Sequence, residues 1–170
     1  MLYKEEIIRK MKDYFSGDNE RISHALQVTD YADQLIELNK KNKPTEVINA
    51  EVIIYSAILH DIGIKNSEEK YNSAAPKYQE IEGPPVARKI LSSFPIDESI
   101  VNEICDIIGN HHSPGNINSH NFKLLYDADW LVNLPAEQDL SKMSKEEIEN
   151  TINKLYLSQT GKDKAKALFI

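Results

Sequence analysis

The sequence predicts an all-α protein that folds as a single domain. Only 6 glycines and 7 prolines occur among its 170 residues, and long stretches repeat apolar residues at the spacing of a helix. Apolar residues make up 41% of the chain and charged residues 28%, which excludes a disordered chain and is typical of a globular domain with a real core. We therefore expect one domain over residues 1–170, a bundle of about seven or eight helices without a strand.

The apolar periodicity predicts where the helices lie along the chain. They are expected at residues 7–15, 20–39, 49–61, 84–93, 97–110 and 122–134, with two more after residue 144. The run at 49–61 is almost continuously apolar and fits a buried helix or a buried strand. Its length of ~12 residues favours the helix, because strands usually have 4–8 residues. Pro84 and Pro85 indicate the start of the fourth helix, since proline suits a first helical turn.

Turn and capping residues separate these helices. Gly17 ends the first helix, and Pro135 closes the helix at 122–134. Asp97 is expected to cap the helix that follows it, and Ser144 forms a capping box with Glu147. The longer breaks are polar loops at residues 39–44, 64–79 and 112–121.

Charge and hydrophobicity narrow the class of partner. The formal net charge is −7, from 20 basic and 27 acidic residues, so the chain lacks the broad basic field of a non-specific nucleic-acid binder. No apolar run approaches the ~18–20 residues that span a bilayer, and the N-terminus does not resemble a signal peptide. Cys105 is the only cysteine, which is typical of a reducing compartment. We expect a cytoplasmic protein that binds neither nucleic acid nor a membrane.

The residues that could carry chemistry lie on different helices or at their ends. They are His24, His60, His111 and His112, with Asp61, Asp127 and Asp129. Each residue alone has an ordinary structural explanation, as a hydrogen-bonded core histidine, a helix cap or a partner of the helix dipole. His120 is expected to be solvated in a polar loop.

Taken together and in this order, these residues resemble the HD-domain superfamily of metal-dependent phosphohydrolases, whose pattern is His, then His-Asp, then Asp on separate helices. Four segments resemble its motifs: Arg21–Val28, Ala57–Gly63, Ile107–His112 and Ala128–Leu131. The resemblance covers about residues 20–135. It implies an HD-type helical core there, with residues 136–170 as a C-terminal helical extension.

The resemblance implies a divalent metal held by four side chains, which are His24, His60, Asp61 and Asp129. Asp127 competes with Asp129 for the last place, and the Ala-Asp-x-Leu register favours Asp129. A mixed nitrogen and oxygen ligand set suits Mn, Fe, Co, Ni or Zn. Members with two metals carry a further histidine where this chain has Tyr78-Gln79-Glu80-Ile81-Glu82. A second metal therefore lacks a ligand here or uses Glu80 or Glu82, and we favour one metal with a weaker second one left open.

The implied reaction is hydrolysis of a phosphoester or phosphoanhydride of a small anionic metabolite, with a nucleotide favoured. Asp61 is expected to orient or deprotonate the attacking water. His111 and His112 are expected to contact the phosphate, protonate the leaving group or help to hold a second metal.

Three further residues are expected near the substrate. Arg21 and Lys65 are candidate phosphate-binding cations, and Lys65 is also a candidate catalytic residue. For both, a solvated surface charge is the alternative. Glu82, at the predicted start of a helix, either faces the cleft or only interacts with the helix dipole.

Other functions are compatible with the same residues. A non-catalytic regulatory module that binds metal and nucleotide would keep the ligand set without turnover. A di-iron oxygenase would need the full six-ligand set, which the missing histidine near Gln79 disfavours. The helices after Pro135 could cap the core or form the surface of a homodimer.

Overall fold

Nine α-helices and one short 3₁₀ helix (Leu140–Lys142) make up residues 2–170, the part of the chain that this computed structural model describes. The α-helices are α1 (Lys4–Phe15), α2 (Asn19–Asn42), α3 (Ala50–Leu59), α4 (Ile64–Tyr71), α5 (Pro76–Leu91), α6 (Glu98–Ile108), α7 (His120–Glu137), α8 (Lys145–Leu155) and α9 (Gln159–Phe169). No strand occurs in this range. The expected all-α class is confirmed.

Helix α3 runs through the centre of the molecule. Every side chain of the segment 52–59 is buried, and α1, α2, α6 and α7 pack around it. Each fully buried aliphatic side chain contributes about 1.5–3 kcal/mol to folding, so this helix anchors the core. Asn49 begins it, with Oδ1 accepting from the backbone N–H groups of Glu51 and Val52 at 3.0 and 3.3 Å. Because α3 is buried from Val52 to Leu59, His60, the residue that follows it, is buried too.

The two long helices α2 and α7 pack against each other beside α3. Asp18 caps α2 by accepting from the backbone N–H of Arg21 at 3.2 Å. Ser119 caps α7 by accepting from the backbone N–H of Phe122 at 3.1 Å. These caps satisfy N–H groups that the first helical turn would leave unpaired. The pairing of α2 with α7 places one face of each helix at the C-terminal end of α3.

The segment at 64–79, predicted as a long polar loop, is mostly helical. Helix α4 occupies Ile64–Tyr71, and α5 begins at Pro76 rather than at Pro84. The principle that proline suits a first turn therefore applies to Pro76. Pro84 and Pro85 lie inside α5. Tertiary packing of α5 on α4 and α6 outweighs the backbone hydrogen bonds that the two prolines cannot donate.

The C-terminal helices cover the core. Helix α9 packs on α2, α7 and α8, and Tyr156, buried just before it, donates its hydroxyl to the backbone oxygen of Trp130 at 2.9 Å. The predicted capping box of Ser144 and Glu147 is present at the start of α8. Helix α7 continues to Glu137, past the predicted stop at Pro135. None of the helices within residues 2–170 combines the length and hydrophobicity that crossing a membrane requires.

Candidate metal centre

Four side chains converge at the C-terminal end of α3. His24 comes from α2, Asp129 comes from α7, and His60 and Asp61 follow the last residue of α3. His24 Nε2 lies 3.2 Å from His60 Nε2 and 3.1 Å from Asp129 Oδ1. Asp61 Oδ2 lies 3.5 Å from His24 Nε2 and 3.4 Å from His60 Nε2. Residues separated by up to 105 positions in the chain thus bring two nitrogen and two oxygen atoms together.

The spacing of these atoms fits a divalent metal. Two ligand atoms bound to one metal at about 2.1 Å, with angles between octahedral and tetrahedral values, lie about 3.0–3.4 Å apart. The separations from the His24 ring nitrogen to its three neighbours are 3.1–3.5 Å. His24, His60 and Asp61 satisfy the geometric requirement for a metal-binding group. The donor set of two imidazoles and two carboxylates suits Mn, Fe, Co, Ni or Zn.

The orientation of His60 also indicates a cation-binding site. Its Nδ1 donates to the backbone oxygen of Ala57 at 2.8 Å. In the neutral ring, Nε2 then carries a lone pair, and this lone pair faces the Asp61 and Asp129 carboxylates at 3.4 and 3.6 Å. A lone pair that faces carboxylate oxygens requires a cation between them, either a proton or a metal ion.

The electrostatics of the centre follow from its burial and its charges. Burial alone would lower the pKa of His60, but Asp61 and Asp129 outweigh it and raise that pKa well above its ordinary value. Burial alone would raise the pKa of Asp61 and Asp129. The histidines His60, His111 and His24 outweigh this, so the pKa of each carboxyl lies well below its usual range. Both carboxyl groups are therefore ionised at neutral pH, and metal binding competes with the proton on His60.

Comparison with known families assigns the fold. The family model for the HD domain matches residues 21–134, which contain all four converging side chains. The chain belongs to the HD-domain family. This membership supports a metal-dependent hydrolase.

A solved structure shares the HD fold. It is the crystal structure of a predicted HD superfamily hydrolase from an uncultured Thermotogales bacterium, with a TM-score of 0.64 and 22% identity over 97% of this chain and 84% of that chain. At this identity the likeness concerns the fold. A comparison with curated proteins finds no match.

A second cluster adjoins the HD residues and shares Asp61. His111 Nε2 lies 3.3 Å from Asp61 Oδ1, and Asp61, His111 and His112 form a second group that could hold a metal. His112 Nε2 lies 3.2 Å from Gln79 Oε1, while Gln79 donates its amide N–H to the backbone oxygen of Ala74 at 2.6 Å. That second bond turns the amide oxygen of Gln79 towards His112, whose Nε2–H therefore donates to it. His112 as a whole residue is exposed, but partial desolvation of its ring by neighbouring protein atoms, followed by the charge of His111, lowers its pKa to about 4.

The glutamates considered for a second metal are bound to other groups. Glu80 accepts from the backbone N–H of His112 and from the Ser113 hydroxyl, each at 3.1 Å. Glu82 lies inside α5, not at its start, and accepts from Lys70 Nζ at 2.6 Å and the Tyr71 hydroxyl at 3.1 Å. Glu82 is not among the residues that line the cleft, and helix α4 supplies its partners.

Lys65 points away from the HD centre. Its Nζ donates to the backbone oxygen of Tyr14 at 3.3 Å and lies 5.2 Å from the centre of the Tyr14 ring. Lys65 is not among the residues that line the cleft at the metal centre. The prediction of a catalytic or phosphate-binding Lys65 assumed a loop after Gly63, whereas the helix α4 directs this side chain towards α1.

Asp127 is held outside the metal centre. It is fully buried, and its carboxylate accepts from the backbone N–H groups of Leu157 and Ser158 at 2.7 and 2.8 Å, at the N-terminus of α9. Burial raises its pKa to about 6 against these hydrogen bonds. A Cβ atom on Gly161 would lie 2.2 Å from Asp127 Oδ2. The structure thus brings Asp129, and not Asp127, to the histidines.

An open cleft of about 850 Å³ leads to the metal centre. His24, Asp61, Asp129, His112 and Arg21 are among its lining residues. Arg21 thus reaches the cleft as expected, and its guanidinium donates to Glu68 Oε2 at 3.1 Å and lies 3.1 Å from Asp18 Oδ2.

Sequence reasoning missed Asn133, which also lines the cleft. Its Nδ2 donates to Asp129 Oδ1 at 2.8 Å. The available signal was its position four residues after Asp129 on one helix, which places both side chains on the same face. Asn133 therefore orients the carboxylate of a candidate ligand.

Proposed function

We propose that this HD-domain protein is a metal-dependent phosphohydrolase that acts on a small phosphorylated metabolite, with a nucleotide as the favoured class. The observation that carries the proposal is the convergence of His24, His60, Asp61 and Asp129 at a cleft of about 850 Å³. A cleft of this size accommodates a small molecule, and the ligand atoms lie where such a molecule can reach them.

These four side chains would hold one divalent ion of Mn, Fe, Co, Ni or Zn. Such an ion, when bound, lowers the pKa of a coordinated water from ~15.7 towards ~7 and polarises a phosphoryl oxygen. Asn133 and the backbone oxygen of Ala57 hold Asp129 and His60 in position, which is the usual role of groups that contact metal ligands.

Asp61 has two separate tasks in this proposal. Its Oδ2 faces His24 and His60, whereas its Oδ1 lies 3.3 Å from His111 Nε2. One oxygen is thus directed to the metal ligands, and the other, which contacts His111, would accept the proton of an attacking water. His111 then stabilises the proton on Asp61 or passes it on.

The remaining polar groups of the cleft act on the substrate. His112 presents an imidazole beside Asp61 and His111, where it contacts the phosphate. Arg21 lines the same cleft, and its guanidinium has the planar donor geometry that matches a phosphate. To bind one, Arg21 must exchange its contact with Glu68 for the substrate.

We propose one tightly bound metal and a weaker second site at Asp61, His111 and His112. The second group has three protein ligands, and His112 already donates to Gln79. Glu80 and Glu82 are bound to other residues, so neither carboxylate supports this second site.

Elemental analysis of the purified protein tests the proposal, followed by assays of phosphate release with the metal that is found. We expect about one transition metal per chain, lost in His60→Ala and in Asp129→Ala. His120→Ala is the matched control, because His120 is exposed at the start of α7 and faces Glu46 at 3.5 Å. Asp61→Ala should abolish hydrolysis.

Two outcomes would contradict the proposal. Wild-type protein that takes up none of Mn, Fe, Co, Ni or Zn would exclude the hydrolase mechanism. Protein that binds metal and nucleotide without releasing phosphate would favour the non-catalytic regulatory module.

A further inference from the structure

The charged side chains that line the cleft are almost all acidic. They are Asp18, Glu20, Asp61, Asp129 and Glu137, against Arg21. Among the described residues that line the cleft, none is a lysine and Arg21 is the single arginine. The substrate proposed above is an anion, so this charge distribution restricts which anions the cleft can take.

The charge of Arg21 is already balanced by neighbouring carboxylates. Its guanidinium lies 3.1 Å from Asp18 Oδ2 and donates to Glu68 Oε2 at 3.1 Å. A substrate phosphate that bound Arg21 would leave the Glu68 carboxylate without this partner. Arg21 can therefore serve one phosphate group at most, and it offers no surplus positive charge to a second.

The metal centre accounts for only part of the negative charge. A divalent ion would balance Asp61 and Asp129, and Arg21 pairs with Asp18, which leaves Glu20 and Glu137 around the rest of the cleft. Glu20 and Glu137 are exposed, so their fields are screened over about 8 Å at physiological salt. The effect of each carboxylate on a bound charge is moderate, and the effects of the two add up.

The surface next to these carboxylates is apolar. Helix α7 contributes Val132, Pro135 and Ala136 to the cleft wall, and Ile64 lies on the opposite helix α4. An uncharged group can pack against this wall, and an amine can also approach the carboxylates. A second phosphate or a carboxylate would meet neither a free cation nor a favourable field.

We infer that the substrate carries a single phosphate group and that the rest of the molecule has no further negative charge, so that it is a phosphomonoester of a neutral or amine-bearing alcohol. The inference rests on the proposed hydrolase function. In the reaction a P–O bond forms to the water oxygen, the ester P–O bond breaks, and the leaving alkoxide takes up the proton that the water loses. A nucleoside monophosphate falls within this class, and a nucleoside triphosphate falls outside it.

Three matched aryl phosphates test the charge preference. They share a phenyl phosphate group and differ in the para substituent, which is aminomethyl, hydroxymethyl or carboxymethyl, so that the leaving groups are cationic, neutral and anionic with similar intrinsic reactivity. We expect kcat/KM at low salt to be about tenfold lower for the anionic ester than for the other two, and the difference to shrink as salt is added. An anionic ester hydrolysed as fast as the neutral one would overturn the inference.

Variants at the cleft rim test the origin of the preference. The preference is measured as kcat/KM of the neutral ester divided by kcat/KM of the anionic ester. Glu20→Gln and Glu137→Gln should each lower this ratio by about two- to threefold, since each removes one repelling charge. Glu5→Gln is the control, because Glu5 is exposed on α1 and does not line the cleft. An equal change in Glu5→Gln would show that net charge, and not the cleft, sets the ratio, and would overturn the inference.

Binding separates this inference from the proposed reaction. The corresponding benzylphosphonates cannot be hydrolysed, and their affinities for the protein with Mn²⁺ are measured by titration calorimetry. If no ester is hydrolysed with any metal, the phosphohydrolase proposal fails, while weaker binding of the anionic phosphonate still supports the charge restriction. Equal or tighter binding of the anionic phosphonate overturns it whatever the outcome of the assays.

Discussion

His60 and His111 are oriented by the same kind of contact, since each ring binds the backbone oxygen of the residue three positions before it. The Nδ1 atom of His60 donates to Ala57 O at 2.8 Å, and that of His111 donates to Ile108 O at 2.7 Å. Both rings thereby direct Nε2 at Asp61. This contact fixes the tautomer that a metal ligand needs, and it requires only that each helix ends at the correct residue.

Gln79 occupies His112 beside the second group of possible metal ligands. Its amide oxygen lies 3.2 Å from His112 Nε2, next to the second group of Asp61, His111 and His112. Gln79→His would replace an amide that occupies His112 with a fourth ligand for that group. We expect the metal content after loading to rise from about one to about two per chain, as measured by elemental analysis after removal of free metal.

The control for this prediction is Gln27→His. Gln27 is exposed and lines the same cleft, but it belongs to neither metal-binding group. The Gln27→His variant should leave the metal content at about one per chain. If Gln79→His behaves like the control, the amide of Gln79 does not limit the second site.

At the scale of the elements, the contact between Gly63 and α5 explains why the segment after His60-Asp61 is compact. An added Cβ on Gly63 would lie 2.5 Å from the backbone oxygen of Gln79 and 2.5 Å from the backbone nitrogen of Gly83. Only glycine allows α5 to approach this closely. The contact also positions Gln79, so the packing of two elements decides the surroundings of the second cluster.

Gly63→Ala should therefore destabilise the protein. The added methyl group meets backbone atoms that cannot rotate away, so we expect a loss of about 1–3 kcal/mol in the free energy of unfolding, measured by urea denaturation. Gly115→Ala is the matched control, because an added Cβ there meets nothing within 4 Å. Equal stabilities of the two variants would show that α5 moves aside at little cost.

At the scale of the whole molecule, the metal centre joins three parts of the fold. His24 lies on α2, Asp129 lies on α7, and His60 directly follows the central helix α3. The unfolded chain cannot hold these side chains together, since they are far apart in sequence. Binding free energy at this site is therefore folding free energy.

Metal should raise the stability of the entire domain. At a free metal concentration of about one hundred times Kd, we expect the free energy of unfolding to increase by about 2.7 kcal/mol. The measurement is thermal unfolding with Mn²⁺ and with a chelator. His60→Ala should show no such difference, whereas His120→Ala should show the full one. A wild-type melting temperature that is the same with Mn²⁺ and with a chelator would contradict a metal site shared by three helices.

Local patterns in the sequence were enough to predict the all-α class, the central apolar helix and the capping box at Ser144. These features depend on local periodicity and on residues within one turn of each other. The sequence also singled out His24, His60, Asp61 and Asp129, through the resemblance of their order and neighbouring residues to the HD family.

Tertiary structure alone decided the features that depend on contacts between distant segments. The segment after Gly63 forms helix α4, which packs against α5. This helix directs Lys65 to Tyr14 and gives Glu82 its partners. Asp127 and Asp129 are both acidic residues of one helix, but they lie two positions apart and face opposite sides. The N-terminus of α9 binds Asp127 and leaves Asp129 to the histidines. No local pattern contains that information, because α9 lies some thirty residues further along the chain.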